Sequence, residues 1–392
     1  MEMPNEQQLL AMAAARGAAL RDGRVVLYAG ANLPSAESQQ AYAPELSAYP
    51  AMGPSYAKEQ PDTDLVSGLE VAVRERICSL FDAAWAEPRL PSCTIANLAV
   101  FHAFSRPGDL LLAPAAAHGG HLSQRRGGTP ELAGLRVAEL PFDSRACRLD
   151  AQAAAEQVRT LRPTLVMLGR SVVITPDDVE PVVAAAREVG AKTIFDASHV
   201  SGLIAGGTFP NPLALGVDIL TSSTYKTLPG RPHSLIAGRK AEDGERLARF
   251  IDRALLANYD AGKLPSFLVT LQQAEADKGA YARRICRASE TFAKVLRELH
   301  VAVIAPNPGE VFTHQVLVPM SAVRDAPATI KALEQEGILV GTCNDPTTPG
   351  GYALRVGTQF IVAQGQDEQV DNIARWLAAA LRREPDGRMT VV

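Results

Sequence analysis

The sequence predicts an α/β fold, in which helices flank a mostly parallel sheet in a large domain and a smaller α+β domain follows. Short apolar segments alternate with helical segments between about residues 65 and 226, a pattern typical of β-α-β crossovers. After about residue 250 the pattern changes to a long helix followed by mixed strands and helices. A chain of 392 residues is long enough to bury two hydrophobic cores.

The first predicted element is a helix over residues 1–24, which are rich in Ala, Leu, Glu and Arg. An amphipathic helix follows over residues 65–84. Two more helices, at 151–161 and 179–189, separate predicted strands, and the second closes at Gly190. The predicted strands of the large domain are DLLLAP at 109–114, RVAELPF at 136–142, TLVMLGRS at 164–171, TIFDASH at 193–199 and DILTSSTYK at 218–226.

The C-terminal part is predicted to begin with a long helix over residues 268–299, polar on one face. The segments HQVLVPM and YALRVGTQF are predicted strands, each followed by a helix, at 327–337 and 367–383. A domain boundary is therefore expected near residues 250–275. The expected division is an N-terminal helix and arm at 1–35, a large domain at 36–260 and a small domain, with the long connecting helix, at 261–392.

Composition excludes several classes of protein. The 39 Lys and Arg residues against 43 Asp and Glu residues give a net charge of −4, so neither nucleic acid nor a membrane surface is an expected partner. No apolar run approaches the ~18–20 residues that span a bilayer. The N-terminal segment carries acids and Arg where a signal peptide would be apolar, so a cytoplasmic location is expected. Five scattered cysteines without a CxxC pair predict neither disulfides nor a metal site.

Polar residues at the ends of the predicted strands are candidate site residues, because open parallel sheets bind ligands outside the carboxyl ends of their strands. Asp196 ends the apolar segment TIFD, where desolvating a carboxylate is costly unless a cation or donor meets it. It could pair with a protonated ring nitrogen, or it could cap the segment 197–204. The strand-end candidates are Ser171, Asp196, His199, Tyr225 and Lys226.

The functional interpretation of Lys226 depends on its neighbours in the predicted sheet. A lysine in a partly apolar pocket has a lowered pKa and can form a Schiff base with an aldehyde, although a single strand-end lysine more often extends into solvent. The segment Ser92-Cys93-Thr94 offers hydroxyls and backbone N–H groups at a helix start, which suits either a phosphate or a simple cap. An anion cradle, an acid and a lysine on one sheet are the groups that pyridoxal 5′-phosphate (PLP) requires.

Four segments carry a family resemblance. FDASHVSGLIAGGTFPNPLALGVDILTSSTYKTLPG resembles the serine hydroxymethyltransferase signature, in which D-x-A-H-V-A-G-L precedes a strand ending in His-Lys-Thr. PSCTIANLAVFHAFSRPGDLLL is similar to the phosphate-binding S-G-S-x-A-N segment, AAAHGGHLS to the G-G-H-L motif, and YALRVGTQF to the R-x-G-T strand. The order and spacing agree from about residue 25 to 385. The chain thus resembles a fold-type I PLP-dependent enzyme of the serine hydroxymethyltransferase-like group.

The resemblance implies roles for the strand-end residues. Lys226 would bind the PLP aldehyde covalently, and Asp196 would pair with the pyridine N–H so that the ring remains an electron sink. His121, from GGHL, would stack on the ring, with the two preceding glycines letting the backbone approach a ligand closely. His199 and Ser171 would bond the phenolic oxygen of the ring.

The resemblance also implies anion-binding residues. Arg355 would clamp the substrate carboxylate, and an Arg within the apolar strand YALRVGT should have an anionic partner. An exposed surface arginine is the alternative. The implied phosphate ligands are Ser92, Cys93 and Thr94, with further donors from Gly262 and Lys263 of the partner subunit.

The substrate-facing half departs from the family pattern. Ser47 occupies the position of the catalytic Glu that stands two residues before the family's Tyr-Pro. The family's Ser-Glu-Asn becomes Gly30-Ala31-Asn32, which loses a carboxylate-binding serine and an acid. The remaining departures are Tyr225 for the His before the lysine, Gln359 and Phe360 after RVGT, and the loss of a tyrosine pair, for which Tyr56 is the nearest candidate.

These departures argue against folate-dependent hydroxymethyl transfer but not against PLP chemistry, since local acids and bases decide which bond breaks. We expect a homodimeric enzyme with shared active sites, acting on an amino acid or an aminoacyl small molecule. The first hypothesis is aldol-type Cα–Cβ cleavage or formation, with Lys226, His121 and Tyr225 catalytic and Arg355 and Tyr56 binding substrate. The alternative is β-elimination, decarboxylation or oxidative deamination of a cysteine S-conjugate in lincosamide-type antibiotic biosynthesis. A PLP-binding regulator or scaffold is a third hypothesis.

Overall fold

The computed structural model describes residues 4–21, 24–320 and 326–382. Its strands are β1 (Val25–Val26), β2 (Trp85–Glu87), β3 (Leu110–Ala113), β4 (Arg136–Glu139), β5 (Phe142–Asp143), β6 (Arg148–Leu149), β7 (Leu165–Leu168), β8 (Lys192–Asp196), β9 (Ile219–Tyr225), β10 (Pro229–Gly238), β11 (Gln315–Met320), β12 (Ile338–Leu339), β13 (Gly341–Asn344) and β14 (Tyr352–Gly357).

The helices alternate with these strands along much of the chain. They are α1 (Glu6–Arg21), α2 (Ala36–Gln40), α3 (Pro44–Ser47), α4 (Asp64–Phe81), α5 (Cys93–Phe104), α6 (Thr129–Leu132), α7 (Ala151–Leu161), α8 (Glu180–Val189), α9 (Ser201–Ala205), α10 (Ala241–Phe250), α11 (Lys263–Ala276), α12 (Ala280–Glu298), α13 (Ala326–Gln335), α14 (Gln359–Ala363) and α15 (Val370–Arg382).

A seven-stranded sheet of order β2-β10-β9-β8-β7-β3-β4 forms the centre of the molecule. The strands from β9 to β4 are mutually parallel, and β10 is antiparallel to both β9 and β2. Both faces are covered, because neighbouring residues of β8 belong to different apolar clusters: Ile194 packs with α5 residues, and Phe195 packs with the α4 and α8 side. The predicted α/β class with a mostly parallel sheet is confirmed.

A smaller antiparallel sheet of order β11-β14-β13 lies in the C-terminal part. The N-terminal strand β1 pairs in parallel with β12, and Tyr28 forms an isolated bridge with Val356 of β14. The segment that follows the N-terminal helix is thereby attached to the C-terminal sheet before it reaches the large sheet. No helix in the described ranges is long and apolar enough to cross a membrane.

The prediction of one helix over residues 268–299 is wrong, because this region forms two helices and the first begins earlier than predicted. The structure has α11, which begins at Lys263, and then α12, with a break at residues 277–279. Lys278 and Gly279 adopt left-handed φ angles of 50° and 76° there. A Cβ at Gly279 would lie 2.2 Å from the carbonyl oxygen of Gly206, so the break lets these two backbone segments touch.

Other boundaries also differ. The predicted strand 136–142 is interrupted, because Pro141 lies between β4 and β5. The helix predicted to end at residue 84 stops at Phe81, where Asp82 takes a left-handed φ of 50°. Strands β2 and β10 were not predicted, since β2 is only three residues long and β10 begins with Pro-Gly.

The break between α11 and α12 yields a stability prediction. Gly279→Ala should lower the free energy of unfolding by the ~1–2 kcal/mol cost of a left-handed non-glycine residue plus a steric cost of about 1–3 kcal/mol. Gly190→Ala is the matched control, because Gly190 has the same φ of 76° but no atom within 4 Å of the position that a Cβ would take. Urea unfolding of both variants measures the difference, and equal losses would contradict the tight contact with Gly206.

Candidate active site

Lys226 follows β9 directly, and its side chain is held among polar and aromatic neighbours. Its Nζ donates to the hydroxyl of Ser223 at 2.6 Å and lies 4.6 Å from the centre of the Tyr225 ring. Desolvation lowers the pKa of the Lys226 amine, and the charge of nearby Asp196 only partly opposes this effect. A buried amine with a lowered pKa is more often uncharged, and an uncharged amine is the nucleophile that adds to an aldehyde.

Asp196, the last residue of β8, is buried and is bound by amide donors. Its Oδ2 accepts from Asn97 Nδ2 at 3.0 Å, and its Oδ1 accepts from the backbone N–H of Ser198 at 3.0 Å. The latter contact shows local capping of the turn after β8, so the two interpretations of Asp196 are compatible. Among the described residues no cation within salt-bridge distance neutralises this carboxylate, which fits a ligand carrying a protonated nitrogen.

Asn97, in the middle of α5, links Asp196 to His121. Its other Nδ2 hydrogen goes to Ser123 Oγ at 3.0 Å, and its Oδ1 accepts from the Thr221 hydroxyl at 2.7 Å. Asn97 was not among the predicted site residues. The sequence feature that could have identified Asn97 is an amide within the otherwise apolar helix CTIANLAVF, since a fully buried polar side chain needs hydrogen-bond partners.

His121 is exposed at the end of the Gly119-Gly120 turn. Its Nδ1 lies 2.8 Å from Ser123 Oγ and accepts the backbone N–H of Ser123 at 3.2 Å, and desolvation lowers the pKa of the ring. That the two glycines let the backbone approach a ligand stays a prediction, but the structure gives them another role. A Cβ at Gly120 would lie 2.2 Å from Pro114 O, and one at Gly119 would lie 2.7 Å from Val172 Cβ, so both glycines serve internal packing.

The segment Ser92-Cys93-Thr94 begins α5, as predicted. Ser92 is the N-cap residue, and its Oγ accepts from the backbone N–H of Ile95 at 3.4 Å. The first N–H groups of a helix have no partner within the helix and carry a partial positive charge, so they suit an anion. Cys93 is buried, and burial raises the pKa of its thiol, so the thiol is uncharged at neutral pH.

Arg355 and a histidine pair converge on the loop after β7. Arg355 Nη1 donates to the carbonyl oxygen of Ser171 at 2.9 Å, and its buried Nε has no partner in the described chain. Gln315 Nε2 donates to the same carbonyl at 2.9 Å and lies 3.1 Å from His199 Nδ1. His199 in turn lies 3.3 Å from His314 Nε2, and desolvation lowers the pKa of both rings, to about 3 for His314.

A second group of predicted residues gathers around α3 and the start of α11. The backbone N–H of Gly262 donates to Ser47 Oγ at 3.1 Å, and Ser47 also donates to Asp260. Lys263 Nζ lies 3.4 Å from Asp260. Tyr56 is 64% exposed and has a left-handed φ of 62°.

A network that the sequence did not reveal joins the N-terminal segment to Lys226. Asn32 Nδ2 donates to the carbonyl oxygen of Lys226 at 2.6 Å and lies 2.8 Å from the hydroxyl of Tyr281. Tyr281 donates to the carbonyl oxygen of Gln359 at 2.8 Å. Gln359 Nε2 donates back to the carbonyl oxygens of Tyr28 at 2.9 Å and Ala31 at 2.7 Å.

A family profile described as serine hydroxymethyltransferase matches residues 12–377. The chain belongs to the serine hydroxymethyltransferase family. It is 31% identical over 345 residues to a serine hydroxymethyltransferase from Staphylothermus marinus, covering 86% of this chain and 78% of that protein. It is 32% identical over 340 residues to an alpha-methylserine aldolase from Variovorax paradoxus, covering 86% of this chain and 77% of the relative.

A solved structure shares the fold of this chain. The crystal structure of L-threonine transaldolase from Pseudomonas fluorescens, in the internal aldimine state, superposes with a TM-score of 0.88. The two chains are 24% identical, and the match covers 95% of this chain and 86% of the other, which shows a shared fold. The predictions of a PLP-dependent enzyme and of PLP as its cofactor are confirmed by the family match.

The residues present fit PLP. A desolvated amine at Lys226, a buried acid bound by two amide donors at Asp196, and the start of α5 suit its aldehyde, pyridine nitrogen and phosphate. Among the described residues there is no cluster of three or more His, Cys, Asp or Glu side chains placed to hold a metal ion.

Asn97 yields a prediction about cofactor binding. Asn97→Ala removes the side-chain donor to Asp196, and a hydrogen bond to a charged group contributes about 1.5–3 kcal/mol. The affinity for PLP should therefore fall about 10- to 100-fold, as measured by equilibrium dialysis. Asn307→Ala, at an exposed asparagine, should leave the affinity unchanged. Equal affinity of Asn97→Ala and the wild type would show that the Asn97–Asp196 contact does not support the cofactor.

His314 yields a prediction about pH dependence. Its pKa is about 3 in the folded chain against an ordinary 6.5, so between these values the unfolded chain binds a proton that the folded chain does not. The uncharged His314 ring therefore does not lower the free energy of unfolding above about pH 6.5. As the pH falls from there toward 3, the free energy of unfolding decreases by about 1.4 kcal/mol per pH unit. His314→Gln should reduce the slope of unfolding free energy between pH 6 and 4 in urea titrations by about this amount.

His102→Gln is the control for this experiment, because His102 is exposed. It should leave the slope unchanged. A His314→Gln variant with the wild-type slope would mean that the ring is not held uncharged in the folded chain.

Proposed function

We propose that this enzyme breaks or forms the Cα–Cβ bond of a β-hydroxy-α-amino acid without folate, as an aldolase or transaldolase. One observation carries the proposal. The acid, amine and arginine of the cofactor-facing half are retained at Asp196, Lys226 and Arg355, whereas Ser47 stands at the position of the family's catalytic Glu and bonds to Asp260. Two relatives named as alpha-methylserine aldolases, 32% and 30% identical, support this choice.

The proposed cofactor site uses the residues that the sequence selected. Lys226 binds the PLP aldehyde, Asp196 keeps the proton on the pyridine nitrogen, and His199 and Ser171 face the phenolic oxygen. When bound, PLP withdraws electrons from the Cα of an amino acid. The hydrogen bonds of Asp196 to Asn97 and Ser198 support its part, because a buried acid without a salt-bridge partner in the described ranges is best matched by a protonated nitrogen. The phosphate ligands proposed are Ser92, Cys93 and Thr94.

Arg355 is proposed to bind the substrate carboxylate. Its Nη1 is engaged with the Ser171 carbonyl, which fixes the guanidinium plane, while its Nε has no partner in the described residues. A guanidinium with one edge fixed and N–H groups to spare can bind a carboxylate by paired hydrogen bonds. This binding would orient the Cα–Cβ bond and would exclude substrates without a carboxylate.

His121 is proposed to donate a hydrogen bond to the β-oxygen of the substrate and to stack on the cofactor ring. Its Nδ1 accepts the Ser123 N–H, so the neutral ring carries its proton on Nε2. The lowered pKa keeps the ring neutral near pH 7. A neutral imidazole with Nε2–H stabilises charge on a hydroxyl or aldehyde oxygen without adding a cation beside Lys226. Tyr225, which lies against Lys226, is proposed as a second catalytic group.

A homodimer with shared active sites remains part of the proposal. In it Tyr56 contacts substrate, while Gly262 of the partner subunit and Lys263 of the partner subunit add phosphate donors. The contacts of Gly262 with Ser47 and of Lys263 with Asp260 are consistent with a role outside their own chain's site. The division into 1–35, 36–260 and 261–392 likewise remains a proposal.

The proposed function is tested by incubating the PLP-loaded protein with L-threonine, α-methyl-L-serine and S-alkyl cysteines, with product identification by mass spectrometry. We expect an amino acid plus an aldehyde from one of the first two substrates, with a rate that added tetrahydrofolate does not raise. Lys226→Ala should abolish turnover, while Lys294→Ala, at a side chain that is 74% exposed, should not change it. Pyruvate, ammonia or carbon dioxide from an S-alkyl cysteine, without aldol products, would contradict the proposal and favour the cysteine-conjugate alternative.

A further inference from the structure

Tyr28 lies in a slot that two glycines create. A Cβ at Gly341 would lie 2.6 Å from Cε2 of the Tyr28 ring, and a Cβ at Gly30 would lie 3.0 Å from Cε1. Any larger residue at Gly341 would therefore displace the ring. A slot of this kind holds an aromatic side chain in one place, which a loosely exposed surface tyrosine would not require.

The slot lies beside Arg355. Gly341 of β13 is directly opposite Arg355 of β14 in the antiparallel register, and directly opposed residues project their Cβ atoms on the same face about 4.5–5.5 Å apart. Because the Tyr28 ring covers the Cβ position of Gly341, it covers the face from which the Arg355 side chain rises. The backbone of Tyr28 is bridged to Val356, the next residue of β14.

Part of the Tyr28 side chain is open to solvent. Tyr28 is 43% exposed, although its neighbours Leu27 and Ala29 are fully buried. The Tyr28 phenol is also close enough to Tyr225, beside Lys226, for its charge to contribute to the raised pKa of Tyr225, which desolvation chiefly causes. Tyr28 therefore lies on the face of the small sheet that carries Arg355 and is also near Tyr225, the residue before Lys226.

The loop that carries Tyr28 is held rigidly. Gln359 Nε2 donates to the carbonyl oxygens of both Tyr28 and Ala31, and Asn32 on the same loop donates to the Lys226 carbonyl. The phenolic oxygen lies 3.4 Å from the position that a Cβ at Gly30 would take. The Tyr28 hydroxyl therefore occupies the space into which a side chain at position 30 would project.

From this geometry we propose that Tyr28 is a substrate-binding and specificity-determining residue, whose phenol O–H donates a hydrogen bond to the substrate carboxylate bound by Arg355. The inference rests on the proposed function of Arg355. A guanidinium and a phenol on one face supply donors to both carboxylate oxygens, and the fixed ring limits the space beside the carboxylate. The substrate class is a free α-amino acid, in preference to an α-amino amide or amino alcohol.

Titration of the PLP-loaded protein with L-alanine or glycine, followed by the change in cofactor absorbance, tests this inference. Tyr28→Phe keeps the ring in its slot and removes only the hydroxyl. The dissociation constant for the amino acid should rise about 10- to 100-fold, the value of one hydrogen bond to a charged group. The dissociation constant for L-alaninol, which lacks the carboxylate, should not change, and neither should the absorbance of the cofactor before titration.

A second pair of variants separates the hydroxyl from a general effect on folding. Tyr28→Ala empties the slot and should weaken binding of the amino acid at least as much as Tyr28→Phe. Adding Gly30→Ser to Tyr28→Ala returns a hydroxyl to the same space, which the absent ring now leaves open, and should recover at least ten-fold of the lost affinity.

The outcomes separate this inference from the proposed function. If the wild type binds L-alanine or glycine, and Arg355→Lys weakens that binding but Tyr28→Phe does not, the role of Tyr28 is overturned while the carboxylate clamp stands. Equal weakening for the amino acid and L-alaninol would also overturn it, because the lost contact would not involve the carboxylate. If Arg355→Lys binds amino acids as well as the wild type does, the clamp fails, and the inference about Tyr28 fails with it.

Discussion

The desolvated carboxylate of Asp196 is the constraint on which the site depends. A buried charge with no cation beside it is unfavourable unless hydrogen bonds hold it, and Asn97 and the Ser198 N–H supply them. The same Asn97 binds Ser123, which sets the hydrogen bond to His121. The amide of Asn97 thus fixes the position of the Asp196 carboxylate and, through Ser123, the proton arrangement of the His121 ring. The parallel register of β8 and β9, which sets Asp196 opposite Thr221, makes this network possible.

The proposed substrate-facing side belongs to a different part of the chain. The segment from β1 to Asn32 is bound to the small sheet through β12 and β14, and then contacts the backbone of Lys226. Gln359 and Tyr281 join these contacts into one network. Loss of the family's Ser-Glu at Gly30-Ala31 therefore does not leave a loose loop. It leaves a fixed backbone, with the Tyr28 ring filling the freed space against Gly341.

Particular residues show why sequence patterns reached part of this site and no further. Asp196 and Lys226 were predicted because polar groups at the ends of apolar strands are conspicuous, and because parallel strands end at one edge. Asn97 and Gln315 were not, because an amide in a helix or a strand shows its partners only once other elements pack against it. The glycines before His121 were noticed, but their role in internal packing was not predicted, because a sequence does not show whether a ligand or the protein's own backbone needs the space. Likewise, the turn at Lys278-Gly279 depends on contact with Gly206, about seventy residues away in the sequence.

The sequence by itself determined the fold class, the family and the cofactor, since alternating apolar segments and short motifs are local patterns that survive without knowledge of packing. Only the tertiary structure decided which groups meet at long range. It brought Asn97 to Asp196, Gln359 to the loop of Tyr28, and the Tyr28 ring to the face of Arg355. Hydrogen bonds and close packing act over a few ångströms, so their partners are set by how strands and helices are arranged in space and not by spacing along the chain.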